Sequence, residues 1–362
     1  MAQVRVTRLA FVHYQHPDLE KALKFFSDFG TVEEQRTPDK VYLRGFGIDP
    51  YIYVAEQSPD SKRHFVGGYW VVSSEEDLKK AASQPGASAI YDNDGPGGGK
   101  VVTVRDPCGF LVGFVFGQQL RNYDGTTGLL EQTSPTTNSP FDKPRKGNVR
   151  RYRNGPSPVH KLGHYGYVVP RSKFMETLDW YHRLMNLKPT DTVYDPKTLE
   201  DETTFNHIDL GDEYTDHHSF FLAAGPDHKP AHIHHSSFEI SDFDTQNLGH
   251  DWLRLHGWTN CWGIGRHVLG SQIFDYWFDA SGNIVEHYAD GDLVNQHTPC
   301  GREHAAPGTL HVWGPNVPLA MLTGRMEDAG KTLNAMPDVE SSKPADFGDT
   351  TNPAGQIKVA AA

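Results

Sequence analysis

The chain has 362 residues, with 34 lysines and arginines against 46 aspartates and glutamates, which gives a formal net charge of −12 at pH 7. This acidic balance argues against nucleic acid or an anionic membrane as the main partner, and no apolar run reaches the length of a membrane span. The N-terminus lacks the apolar core of a signal peptide. The three widely spaced cysteines form no metal or redox motif, so we expect a cytoplasmic protein.

Strands and helices alternate through the first half of the chain. Strands are predicted at 6–14, 41–43, 51–55, 69–72, 101–105 and 110–116, with helices from about Asp18 to Gly30 and from about Ser73 to Ala82. The glycine-rich stretch 95–100 has neither the spacing nor the hydroxyl residue of a phosphate loop. It is predicted to be a hairpin loop instead.

A stretch rich in Gly, Ser, Thr, Pro and basic residues separates the two halves at about 126–158 and is interpreted as a solvated linker. The second half repeats the order of the first. Strands are predicted at 162–169, 204–209, 219–223 and 237–240, with helices through Phe174–Leu184 and near 247–255. The polar segment from about Asn334 to the end is predicted to be poorly ordered.

Two self-similar halves therefore make up most of the chain. Residues 106–113 can be laid over 279–286, and Phe11 falls where His164 falls. We predict an N-terminal module at 1–125, the linker at 126–158, a C-terminal module at 159–300 and an extension at 301–362. Each half has the order β-α-β-β-β, which predicts an α+β fold.

The stretch from His267 to Glu286 carries the clearest chemical signal. A strand at 273–278 is followed by Asp279-Ala280-Ser281-Gly282, which is typical of a turn, and then by a return strand. This hairpin would place Tyr276 and Glu286 on neighbouring strands. Because Glu286 lies among apolar residues, we expect it to have a partner or a metal.

Histidines are the candidate partners, and the chain has 20 of them. His164 and His235 each open an apolar run that is predicted to be a strand. Two histidines and one glutamate form the facial triad of a non-haem Fe(II) oxygenase, which leaves three metal positions open. We therefore predict His164, His235 and Glu286 as metal ligands. His235 is preferred over His234 because it matches the register of His164.

The stretch His267–Glu286 resembles the signature of type I extradiol ring-cleaving dioxygenases, in the vicinal oxygen chelate superfamily. In that signature a His precedes an aromatic strand ending in Tyr, then Asp-Pro-x-Gly and then Glu. The chain supplies His267, Tyr276, Asp279, Gly282 and Glu286, and it departs from the pattern at Asp275 and Ala280. The resemblance covers about residues 5–300 and implies tandem βαβββ modules that form two curved mixed sheets, with metal ligands in the second module only.

The resemblance also implies roles for three further residues. His218 corresponds to the acid–base histidine of the family, with His217 as the alternative in the neighbouring register. His267 would bond the substrate oxygen, and Tyr276 would donate to the metal-bound oxygen. These three residues are thus predicted to be both catalytic and substrate-binding.

The implied reaction is cleavage of a small aromatic diol by O2 at Fe(II), which gives a muconic semialdehyde-type product. The sequence does not distinguish Fe(II) from Mn(II). Two alternatives stay open, namely another metal enzyme of the same fold (a glyoxalase-type isomerase or an oxygenase for a non-catecholic substrate) and a non-catalytic binder of planar ligands. We expect a homo-oligomer.

Overall fold

The structure is a computed structural model, and it describes residues 3–122, 137–306 and 310–331. The segment predicted to be poorly ordered lies outside these residues. Among the helices that the structure describes, none is long and apolar enough to cross a membrane.

The N-terminal module forms one mixed sheet of eight strands. Its elements are β1 (Val6–His16), α1 (Leu19–Phe29), β2 (Val32–Arg36), β3 (Lys40–Arg44), β4 (Tyr53–Gln57), β5 (His64–Val72), α2 (Glu75–Ala82), β6 (Tyr91–Asp92), β7 (Lys100–Arg105) and β8 (Leu111–Phe116). The spatial order is β2-β3-β4-β1-β5-β8-β7-β6. The order β-α-β-β-β therefore occurs twice within this module, once from β1 and once from β5.

The C-terminal module forms a sheet of nine strands. Its elements are β9 (Lys161–Pro170), α3 (Arg171–Leu184), β10 (Leu187–Tyr194), β11 (Asp201–Ile208), β12 (Thr215–Asp216), β13 (Phe220–Gly225), β14 (His232–Glu239), α4 (Phe243–Leu255), β15 (Thr259–Arg266), β16 (Ile273–Phe278), β17 (Ile284–Ala289), β18 (Leu293–Val294) and β19 (Gly301–His304). The order is β15-β16-β17-β14-β9-β13-β11-β10-β19, with β12 and β18 paired separately. Apart from β12, β18 and β19, each strand has a counterpart in the first module.

Helix ends follow the signals in the sequence. The Asp18 side chain accepts from the backbone N–H of Lys21 at the start of α1, and Gly30 closes that helix at φ 106°. Ser74 caps α2 in the same way. The helix predicted near 247–255 begins earlier, at Phe243, because Asp242 caps it through the N–H of Thr245.

The two modules share one core. Tyr14 and Ser236 are hydrogen-bonded across the boundary at 2.7 Å, and the Trp70 indole donates to the Tyr165 hydroxyl at 3.0 Å. All four side chains are fully buried. Since alternate residues of a strand face opposite sides, Tyr165 lies in this shared core while its neighbour His164 faces the concave side of the second sheet.

Part of the predicted linker packs on the C-terminal module. Arg150 pairs with Asp242 at 3.0 Å, and the Tyr152 hydroxyl donates to Asp244 at 2.8 Å. Both carboxylates lie at the start of α4, where a helix favours negative charge. The basic cluster of this segment is therefore partly engaged by α4 and is less solvated than the sequence suggested.

A segment of the C-terminal extension lies along the edge strand β15. Arg266 and Trp313 form an antiparallel bridge, and the Trp262 indole donates to the Pro315 carbonyl at 2.7 Å. A short helix, α5 (Leu319–Thr323), follows. The extension thereby becomes a wall beside His267, which lies directly after β15.

Candidate metal centre

Three buried side chains converge at the centre of the second sheet. The Nε2 atoms of His164 and His235 are 3.1 Å apart. Glu286 Oε2 lies 3.1 Å from the first of these nitrogens and 3.4 Å from the second. All three residues are buried, and among the described residues they form the one group of His, Cys, Asp and Glu side chains suited to a metal ion.

These distances fit a bound ion. Donor atoms about 2.1 Å from one metal and at right angles to each other are about 3.0 Å apart, which is close to the spacing observed. Both carboxylate oxygens of Glu286 are buried without a well-formed hydrogen bond. Such a buried charge is costly unless a cation or strong donors compensate it, so the three residues suit a divalent ion.

Electrostatics favour an ionised Glu286 and a neutral His235. Burial acts to raise the pKa of Glu286, and the imidazoles of His164 and His235 more than offset it, holding the pKa well below its usual range. Burial lowers the pKa of His235. An ionised carboxylate and a neutral imidazole are the forms that coordinate.

The β16–β17 hairpin positions the carboxylate as predicted. Tyr276 and Glu286 are directly paired across the two strands. The turn is fixed by Asp279 Oδ1, which accepts from the backbone N–H groups of Ser281 and Asn283, and Gly282 adopts φ 85°. His287 faces away from the site, since its ring stacks on Phe29 at 3.7 Å.

His235 is the member of its histidine pair that reaches the metal centre. A bulge in β14 between Ile233 and His235 interrupts the alternation of faces. As a result His234 does not point to the opposite side. Its Nδ1 lies 2.7 Å from Nδ1 of His235, so it supports the proposed ligand from behind.

His218 lies against the triad. Its ring centroid is 4.1 Å from that of His164, and burial holds its pKa well below the usual range. His217 faces the other way, with Nε2 2.6 Å from Asp191 Oδ2. The geometry thus favours His218 over His217 as the residue next to the metal ligands.

His267 and Tyr276 form a second pair beside Glu286. The Tyr276 hydroxyl is 2.9 Å from His267 Nε2, and His267 Nδ1 is 2.7 Å from the Leu310 carbonyl. Burial lowers the pKa of His267 to about 4. A neutral His267 donates from Nδ1 to Leu310, so Nε2 accepts from the Tyr276 hydroxyl. For Tyr276 to donate to a substrate oxygen, as predicted, this hydrogen bond to His267 would have to be exchanged.

Aromatic rings wall the centre. Phe221 lies 4.9 Å from the His235 ring, Trp262 stacks along Tyr276 at 5.7 Å, and Phe274 stacks on His267 at 4.2 Å. Flat apolar surfaces of this kind suit an aromatic ring. All six predicted site residues therefore lie around one centre.

Three features near the centre were not predicted from the sequence. They are the position of Asp191, its contact with His217, and the Leu310 carbonyl that contacts His267. Asp191 is on β10, which was not predicted as a strand, and Leu310 lies in the extension. No local motif marks either residue. The adjacent histidines at 217 and 218 were the one available signal, since a strand directs neighbouring side chains apart.

Comparisons with known proteins agree with this geometry. Residues 161–287 match the Glyoxalase/Bleomycin resistance protein/Dioxygenase superfamily, and these residues contain all three candidate ligands. Metapyrocatechase 2 of Cupriavidus necator is 27% identical over 319 residues, which is 84% of this chain and 89% of that protein.

Solved structures share the fold. Homoprotocatechuate 2,3-dioxygenase from Brevibacterium fuscum, in its anaerobic complex with 3,4-dihydroxyphenylacetate, aligns with TM-score 0.69 and 18% identity over 89% of this chain and 92% of that chain. The Mn(II)-bound glyoxalase from Novosphingobium aromaticivorans aligns with TM-score 0.69 and 16% identity over 87% and 93%.

The superfamily match lies on the module that holds the triad, and the metapyrocatechase similarity extends across both modules. The predicted α+β fold is confirmed, and the superfamily expected from the His267–Glu286 motif is the one that residues 161–287 match. The C-terminal module of this chain is thus similar to the glyoxalase/bleomycin resistance protein/dioxygenase superfamily, and both modules together are similar to a metapyrocatechase.

Proposed function

We propose that this protein cleaves a catecholic ring at the bond next to the two hydroxyls, with both atoms of O2 entering a muconic semialdehyde-type product. The observation that carries the proposal is the convergence of His164, His235 and Glu286 at 3.1–3.4 Å in a buried, aromatic-walled site. Two imidazoles and one carboxylate suit Fe(II) and leave positions for substrate and O2. An Fe(II) ion bound there would hold the diol and O2 side by side.

The surrounding side chains have separate tasks. His218, neutral and buried beside His164, takes a proton from the diol as it binds and returns it later. His267, anchored by the Leu310 carbonyl, holds Tyr276 in place. Phe221, Trp262 and Phe274 exclude water and position the ring.

Within residues 3–122, the part of the first module that the structure describes, no side chain joins this candidate centre. By strand register, Phe11 and Gly113 occupy the positions of His164 and Glu286. A site that needs metal ligands from both modules cannot form on such residues. This favours ring cleavage over a glyoxalase-type isomerase that would use both halves.

The test begins without air. The purified protein is assayed for bound metal, mixed anaerobically with catechol and substituted catechols, and then exposed to O2 while the visible spectrum and O2 uptake are recorded. We expect about one iron per chain, stoichiometric O2 uptake and a yellow ring-opened product. His164→Ala, His235→Ala and Glu286→Ala should each abolish metal binding and turnover.

Other outcomes point elsewhere. Bound metal without O2 uptake on any diol would favour the isomerase or a different substrate class. Full activity with Mn(II) and none with Fe(II) would change the proposed metal. Failure to bind either ion would favour a non-catalytic binder of planar ligands.

A homo-oligomer and a cytoplasmic location remain expectations, to be checked by light scattering and by cell fractionation.

A further inference from the structure

Behind His218 lies a polar chain that the reaction outlined above does not use. His218 Nδ1 is 3.0 Å from His217 Nδ1, and His217 Nε2 is 2.6 Å from Asp191 Oδ2. His217 and His218 are buried, and the Asp191 side chain is 15% exposed. The three residues thus connect the proposed base to a carboxylate on β10.

We propose that Asp191 and His217 are positioning residues that hold His218 in the tautomer with its proton on Nδ1, so that Nε2 is left as the basic nitrogen for the substrate. This rests on the proposed function only in the role given to His218. The tautomer itself is a separate claim and can be measured without any turnover.

The direction of the chain follows from what each group can do. An ionised carboxylate only accepts hydrogen bonds, so Asp191 accepts from Nε2–H of His217. The proposal takes His217 as neutral, in which case its Nδ1 has no proton and accepts. In the proposed arrangement the donor in the 3.0 Å contact is then Nδ1–H of His218. The Asp191 carboxylate, which is two hydrogen bonds away from His218, thereby selects which nitrogen of His218 carries the proton.

The surroundings of His217 hold it in this arrangement. Its backbone N–H donates to the Asp292 carbonyl at 3.0 Å, and its carbonyl accepts from the Thr190 hydroxyl at 2.7 Å. Gly270 lies beside the ring, and a Cβ there would come within 2.8 Å of His217 Nδ1. The lack of a side chain at 270 therefore keeps space for the bond between the two histidines.

The position of the Asp191 carboxylate also requires that residue 301 has no side chain. A Cβ on Gly301 would overlap Asp191 Oδ1, and Gly301 is the residue paired with Asp191 between β10 and β19. A cavity of about 380 Å³ lies on the same side, lined in part by Asp191, His217, Val268 and Leu293. The last two are exposed, so the carboxylate end of the chain opens to the surface while the His218 end stays buried.

Two variants test the pair without altering His218. Asp191→Asn removes the charge and lets the amide either accept or donate, so the tautomer is no longer fixed. Gly301→Ala keeps the carboxylate and displaces it. The matched control is Asp209→Asn. This carboxylate directly follows β11 and binds Lys188 and the N–H of Gly211, and it contacts neither histidine in the bonds described.

The first measurement is the nitrogen chemical shifts of histidine rings in the metal-free full-length protein labelled with ¹⁵N-histidine, assigned with His217→Gln and His218→Gln. We expect the proton on Nδ1 in His218 and on Nε2 in His217, with mixed tautomers in Asp191→Asn and Gly301→Ala and no change in Asp209→Asn. The opposite tautomer in the parent protein, or no change in both variants, would overturn the proposal whether or not the protein cleaves catechols.

The second measurement is turnover. In Asp191→Asn and Gly301→Ala, kcat on catechol should fall about 10–100-fold with metal content and KM unchanged. The loss should be much smaller on a nitrocatechol assayed where its first hydroxyl is already ionised, because that substrate has less need of a base. Equal losses on both substrates, or loss of metal, would indicate mere structural damage and reject the positioning role. Absence of turnover in the parent protein would instead reject the proposed function.

Discussion

The two modules share one frame and differ in what fills its centre. In the first, Phe11 pairs with Tyr69 and Tyr69 with Gly113. In the second, the equivalent register joins His164 to Ser237 and Ser237 to Glu286. Gly67, two residues before Tyr69, corresponds to His235, two residues before Ser237. Every candidate ligand position of the second module thus has an apolar or side-chain-free counterpart in the first.

The centre of the first module is closed by its own side chains. Phe11 and Tyr69 stack at 4.2 Å, and Tyr69 occupies the space that a side chain at Gly113 would need. In the second module the central residue is the small, fully buried Ser237, which leaves room for Glu286. A metal site on this frame therefore requires a small residue on the middle strand as well as the three ligands.

The largest effect is expected from Glu286→Gln. An amide keeps the shape of the carboxylate and removes the charge that balances a dication, so metal binding and turnover should both be lost. Metal analysis after Fe(II) loading measures the first and O2 uptake the second. As a control in the other module, Phe11→Leu at the position equivalent to His164 should leave both intact; equal loss in the two variants would mean that the modules are not functionally distinct.

Ser237→Tyr should close the centre of the second module as Tyr69 closes that of the first. The ring would take the space of Glu286, as Tyr69 does at Gly113, and metal content should fall to background while the strand order is kept. Circular dichroism and metal analysis would be compared with Ser237→Ala, which should bind metal as the parent does. A metal-replete tyrosine variant would show that middle-strand size does not decide the site.

His218→Phe should separate metal binding from turnover. The phenyl ring preserves the contact with His164 and lacks a base, so metal content should stay the same while kcat falls about 10²–10⁴-fold. Anaerobic loading followed by steady-state assay on catechol measures both quantities. An unchanged kcat would assign proton transfer to another residue, with His267 the next to be replaced.

Gly113→Ala should destabilise the first module without touching the metal. Its Cβ would overlap the Tyr69 ring, and overpacking of a core costs about 1–3 kcal/mol. Denaturant unfolding of Gly113→Ala, Tyr69→Ala and the double variant gives the coupling between the two positions. We expect the added methyl group to cost much less when the ring is absent; strictly additive losses would contradict the closed-centre description.

The part of this comparison that the sequence predicted is the part encoded locally. The turn at 279–282, the cap at Asp18 and the Tyr276–Glu286 pairing each depend on a few adjacent residues, and each is found as expected. Phe11 and Gly113 were also placed correctly in register, because the repeat aligns both halves residue by residue. The pattern of two histidines and one glutamate extended this local information to His164, His235 and Glu286.

The rest depends on contacts between distant residues. β2 and β15 were not predicted, since the first is a largely exposed edge strand of charged residues and the second contains two glycines. The bulge that turns His234 towards His235, and the approach of Asp191 to His217, arise from strand pairing that no local pattern encodes. The order of the strands across each sheet likewise follows from this long-range pairing.

The smallest effect is expected where the modules meet. His16 of the first module is fully buried, with Nδ1 2.8 Å from Ser281 of the β16–β17 turn and Nε2 2.8 Å from Tyr53. Burial lowers the pKa of His16, partly offset by Asp279. The unfolded chain therefore binds a proton near pH 6.5 that the folded chain resists, so the free energy of unfolding should fall as pH drops below about 6.5.

His16→Gln should make that pH dependence shallower. The amide can keep a hydrogen bond to one of the two hydroxyls and has no proton to gain, so the slope below pH 6.5 should decrease by at most about 1.4 kcal/mol per pH unit. Urea unfolding at several pH values, with the metal removed, measures it. The exposed His232 provides the control, since His232→Gln should leave the slope unchanged. If His16→Gln shows the same pH slope of unfolding free energy as the parent protein, His16 already carries its proton in the folded state. The junction between the modules would then be held by a charged bond from His16 to Asp279 instead of by neutral hydrogen bonds.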